Sequence, residues 1–103
     1  MPKFLYVYHG GSKPSTPEEG EKVMAKWMEW IGGNQSSFTD PGNPVGMSKT
    51  VSSGKIDDNG GSNPASGYGI VDVADMNAAV ELAKGCPIHD SGGSVEVAEI
   101  MEM

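Results

Sequence analysis

Residues 4–8, Phe-Leu-Tyr-Val-Tyr, are apolar at every position, and His9-Gly10-Gly11 closes the run as a turn closes a strand. A strand on a one-faced sheet alternates apolar with polar. Here Phe4, Tyr6 and Tyr8 point one way and Leu5 and Val7 the other, so both faces call for cover. The chain has 103 residues, of which 37% are hydrophobic, enough for one domain with one core and not for two. Cover for the second face is therefore expected from outside the chain.

The flanking segments read as a short α+β sequence. Thr16-Pro17-Glu18-Glu19 opens a helix: Thr16 suits the N-cap, Pro17 the first helical position, and Glu19 the capping box. Val23, Trp27, Trp30 and Ile31 recur at helical spacing, Met24 and Met28 widen the stripe, and Gly32-Gly33 ends it. Residues 34–67, rich in Gly, Pro, Asn, Asp and Ser, carry one strand near 46–53, paired in a hairpin with a short strand around Ile56, and a turn is expected at Asn59-Gly60. A strand over Tyr68–Ala74 follows, then a helix over Met76–Lys84 capped by Asp75 and stopped by Gly85 and Pro87. Residues 94–101 read as the last strand. The order βαββαβ predicts a ferredoxin-like α+β domain, an antiparallel sheet with two helices on one face. Pairing two such sheets face to face in a homodimer, a dimeric α+β barrel, is the economical way to cover the second face of the first strand.

Charge narrows the partners. Seven lysines stand against fourteen acidic residues, the formal net charge is −7, and there is no arginine. Nucleic acid and anionic membrane surfaces both need a basic patch, so neither is expected as a partner. Cys86 is the single cysteine and the N-terminus lacks the pattern of a signal peptide, which points to a cytoplasmic protein without disulfides.

The segments KFLYVYHGG, EEGEKVMAKWMEWIGG, DPGNPVGMSKTV, SGYGIVDVAD and AKGCP…GGSVEVAEI resemble the YCII-related proteins, also called DGPF-domain proteins, over nearly the whole chain. The resemblance implies a ferredoxin-like fold, a dimer of barrel type, a bacterial origin, and a cleft holding a His and an Asp for which an enzymatic role is suspected. The family histidine lies on the first helix, where this chain has none, its only histidines being His9 and His89. In place of Asp-Gly-Pro-Phe stands Asp40-Pro41-Gly42-Asn43-Pro44.

Three residues are candidates for chemistry. His9 ends a strand where sheet edges meet clefts, and histidine titrates nearest neutrality. Asp40 sits in a proline-flanked loop, where a turn role competes with a catalytic one. Asp72 interrupts an apolar strand, and a charge there needs a partner or water. Cys86 follows a helix C-terminus, which disfavours a thiolate, and reads as packing. Zinc would need more ligands than two histidines and a cysteine supply, Lys55 stands where a calcium loop would begin, and Gly67-Tyr68-Gly69 precedes a strand rather than a helix, so no metal or cofactor is expected. The leading expectation is a dimer that binds or transforms a small molecule at the sheet edge. Its competitors are a structural or interaction dimer and, by fold analogy, a cofactor-independent monooxygenase-like barrel.

Overall fold

In the computed structural model, which describes residues 2–11, 15–58 and 63–102, the apolar first strand is central. This strand, β1 (Lys3–His9), pairs antiparallel on both sides, with the later strands Ala65–Asp72 and Ser94–Glu99. Numbered in chain order, the elements are α1 (Pro17–Gly33), β2 (Phe38–Asp40), β3 (Lys49–Ser52), β4 (Lys55–Asp58), β5 (Ala65–Asp72), α2 (Met76–Lys84), a 3-10 helix (Pro87–Ser91) and β6 (Ser94–Glu99). The main sheet runs β2-β5-β1-β6, all antiparallel, the ferredoxin-like arrangement expected from the sequence.

Both helices begin where their caps dictate. Thr16 accepts the Glu19 amide at 3.1 Å, and Asp75 accepts the Ala78 amide at 2.8 Å. The Glu19 carboxylate turns back one residue further than a capping box requires, onto the Ser15 hydroxyl at 2.7 Å and the Ser15 amide at 3.0 Å. Those two bonds hold its pKa below the usual range, the hydroxyl foremost. At the other end α1 continues through Gly32-Gly33, and the Asn34 side chain donates to the Trp30 carbonyl at 2.7 Å.

The two faces of β1 have different fates. Phe4, Tyr6 and Tyr8 are buried under the helices: Trp30 stacks on Tyr6 at 6.2 Å between ring centroids, and Trp27 meets Tyr8 edge-on at 4.9 Å. Gly69 and Gly67 of β5 stand opposite Tyr6 and Tyr8 in the register, and a Cβ at Gly67 would come within 3.1 Å of the Tyr8 ring. Leu5 and Val7, with Tyr68, Ile70 and Ala98 beside them, lie on the other face and are only half-buried. Among the described residues no helix packs on that face. Met24 and Met28, expected in the core stripe, are 59% and 67% exposed, because α1 turns its Trp27–Trp30 edge to the sheet.

The middle of the chain departs from expectation in one respect. The strand expected at 46–53 is β3, and it does pair with a strand around Ile56, but the β3–β4 hairpin is a two-stranded sheet of its own. The slot in the main sheet is taken by β2, whose Phe38 pairs with Val71. The hairpin turns at Ser53-Gly54, where Gly54 has φ +76°. The turn expected at Asn59-Gly60 lies outside the described residues. The radius of gyration, 14.6 Å, exceeds the roughly 13 Å of a compact domain this size, because the hairpin projects from the sheet.

Candidate functional site

Strand alternation places His9 on the open face with Leu5 and Val7, and the register puts Glu96 of β6 opposite Val7. The histidine Nε2 lies 3.0 Å from Glu96 Oε1, and its Nδ1 lies 3.3 Å from the Pro64 carbonyl oxygen. Both neighbours are acceptors, so the ring makes both bonds together only as the imidazolium. The imidazole is 11% exposed and the glutamate 64% exposed. A shielded ring is therefore held in place while its carboxylate partner stands in solvent, an arrangement able to deliver a proton from Nε2 or to hold an anionic oxygen there.

The backbone beside His9 is irregular. Tyr8 pairs with Gly67 and His9 with Ala65, which leaves Ser66 as the extra residue of a β-bulge. Its hydroxyl is shielded from solvent and has no hydrogen-bond partner among the described residues. Tyr68, two residues on along the same face, has its hydroxyl near the Asn43 amide at 3.3 Å. The surroundings of His9 thus add a carboxylate and a hydroxyl that sequence reasoning did not single out. Glu96 reads in sequence as an ordinary polar position of the last strand, and only strand register reveals its place.

The three candidates from sequence do not meet within the chain. Asp72 shares the open face with His9 but pairs with Lys3, at the far end of β1, about 20 Å away at strand spacing. Its amide donates to the Ser37 carbonyl at 2.7 Å, which ties β5 to the start of β2. Asp40 lies two strands from β1, opposite Ile70, and accepts the Gly42 amide at 2.8 Å within its own turn.

Elsewhere the structure offers less. Cys86 is 3% exposed, and burial pushes its thiol up to about 11 against a backbone hydrogen bond at Ile88 that lowers it. His89 bonds through Nε2 to the Ala83 carbonyl at 2.9 Å, closing the end of α2. Two open grooves, of about 350 and 510 Å³, flank Trp30, the first toward Pro87 and Asp90 of the 3-10 helix and the second toward Ala78, Glu81 and Leu82 of α2. Among the described residues no cluster of His, Cys, Asp and Glu could hold a metal ion, and no helix is long and apolar enough to cross a membrane.

An antiparallel β2-β5-β1-β6 sheet with helices on one face and a histidine–carboxylate pair on the other defines the class: a ferredoxin-like α+β domain with an open sheet face. Within that class the chain belongs to the YCII-related domain family, which matches residues 4–103. Among solved structures it is similar to the 5-chloro-2-hydroxyhydroquinone dehydrochlorinase TftG of Burkholderia phenoliruptrix AC1100 in complex with 2,5-dihydroxybenzoquinone. The TM-score is 0.55 and the identity 10%, over 96% of this chain and 95% of that one, a likeness of fold. No curated protein matches the chain.

Proposed function

We propose that this protein binds a small oxygen-bearing molecule at His9 on the open sheet face, as a homodimer in which a second copy covers that face. The observation that carries the reading is the His9–Glu96 pair, 3.0 Å apart, beside the bulge that Ser66 makes in β5. Bulges recur beside active sites because they re-aim a side chain. An incoming phenolate, enolate or carboxylate oxygen takes the place of the solvent-exposed Glu96 carboxylate on Nε2. Proton transfer from Nε2 to that oxygen is the chemistry the pair supports: the ligand oxygen becomes O–H, the imidazolium becomes neutral imidazole, and Glu96 stays a carboxylate in solvent. Asp40 and Asp72 belong to this reading only as residues outside the His9 cluster.

The apolar row Leu5, Val7, Tyr68, Ile70 and Ala98 supports the homodimer, since in water a sheet face of this composition gains by being covered. A non-enzymatic structural dimer is the second reading. It is favoured by the bonds His9 already makes to Glu96 and to the Pro64 carbonyl, which can serve to hold the strand ends together.

Thermal shift with 2,5-dihydroxybenzoquinone and a panel of phenols and carboxylates tests the site, because a ligand that binds only the folded state raises its Tm. A compound that stabilises wild type but not a folded His9→Ala variant is the expected result. Retention of the full shift in His9→Ala would overturn the His9 assignment. A loss of more than about 1 kcal/mol in His9→Ala, with no compound shifting wild type, would favour the structural dimer.

A further inference from the structure

We infer that the β3–β4 hairpin is an arm that clasps a second copy of this chain. The inference rests on the homodimer reading above and adds the surface that makes the contact selective.

A two-stranded hairpin alone is marginally stable in water, yet among the described residues this one makes its strand pairing only with itself. Val51 stands directly opposite Ile56 in the register, and the two are 74% and 64% exposed. Met47, 93% exposed, and Val45, 42% exposed, lead into the same element. Together these four residues present surface on the order of 500 Å², as much as the largest apolar patch of a typical monomer and over half of the about 800 Å² per partner in a stable interface.

Charge selects the occupant. The chain carries −7, so two copies repel over most of their surface. The hairpin is locally neutral: Lys49 pairs with Asp58 at 3.0 Å and Lys55 with Asp57 at 3.5 Å, and two lysines cancel two aspartates. An apolar, locally neutral arm on an acidic protein is where a second identical copy can approach at least cost. A basic partner would instead be drawn to the acidic remainder of the surface.

The root of the arm adjoins the open sheet face. Before β3, the Val45 amide donates to the Ser66 carbonyl at 3.0 Å, and Pro44 bridges to Gly67. After β4, the chain returns through Pro64, whose carbonyl faces His9 Nδ1. The arm is therefore continuous with the surface proposed to meet a second copy. Because a two-fold operator repeats every contact, each subunit gives one arm and receives one.

The experiment is sedimentation equilibrium on wild type, on the double variant Val51→Asp with Ile56→Asp, and on Ser52→Asp from the opposite side of the hairpin. Near-UV circular dichroism of Trp27 and Trp30 reports the core in each. The expected result is a wild-type dimer, association at least a hundredfold weaker in the double variant, an unchanged Ser52→Asp dimer, and intact tryptophan signals throughout. A double variant that still dimerises like wild type overturns the arm and leaves the sheet-face dimer standing. A monomeric wild type overturns both. Loss of the tryptophan signals in the double variant would show that the hairpin belongs to the core, and would also overturn the arm.

Discussion

Tyr6, at the centre of β1, donates its hydroxyl to the carbonyl of Ala79 on α2. One completely buried side chain thereby joins the middle strand to the second helix across 73 residues of sequence. Tyr6→Phe keeps the ring on Trp30 and removes only this bond, so chemical denaturation is expected to show a loss of about 1 kcal/mol. Burial also pushes the Tyr6 hydroxyl up to about 12, with a smaller contribution from Cys86, against about 10 in the unfolded chain. The folded state then holds a proton that the unfolded state has lost. Stability from this group is full below pH 10 and falls as pH rises from about 10 to 12. Burial raises Tyr8 in the same direction. Denaturation curves measured up to pH 11.5 should steepen their decline above pH 10, less so in Tyr6→Phe.

Gly42 and Gly54 share the same left-handed backbone, φ +76° in each, but not the same surroundings. A Cβ at Gly42 would overlap the Tyr68 carbonyl oxygen, while one at Gly54 would meet nothing within 4 Å. Gly54→Ala is expected to cost about 1 kcal/mol from backbone strain alone. Gly42→Ala must also push the Asp40–Asn43 turn away from β5, and its expected cost is at least about 2 kcal/mol. Equal losses in thermal denaturation of the two variants would mean that this turn does not press on β5.

Cys86 should behave as a buried hydrophobe. With its thiol pushed up to about 11 chiefly by burial, it is expected to react with a disulfide reagent at pH 8 only as fast as the protein opens. Reaction in 4 M urea should accelerate in step with unfolding followed by tryptophan fluorescence. Stoichiometric labelling within seconds under native conditions would contradict the packing described here.

The parts of this fold written in local chemistry were readable, and those written in register were not. Met76–Lys84 was legible to the residue, because Asp75 marks one end and Gly85 with Pro87 the other. Phe38–Asp40 was not, since three residues are too few to show an alternation and the strand exists through its pairing with β5. The candidate site divides the same way. His9 stands out by residue type and by its place at a strand end. Glu96 joins it only because β6 aligns Glu96 with Val7, and Ser66 only because β5 gains a residue against His9. The separation of Asp40 and Asp72 from His9 is likewise a matter of which residues the strands set opposite one another.

The central position of β1 bears on how the chain must be made. It is synthesised before both of its neighbours in the sheet, β5 and β6, which leave the ribosome some sixty to ninety residues later. Until then Phe4–Tyr8 has no strand partner, although α1 is already made and can lay Trp27 and Trp30 on its Tyr6 side, and contacts so distant in sequence form slowly. The β3–β4 hairpin, closed by two residues, can form at once on the microsecond scale, but it offers β1 no edge in the finished sheet. A nascent chain halted before residue 65 would therefore expose the unpaired edges of a sticky pentapeptide, and productive folding waits on β5 and β6.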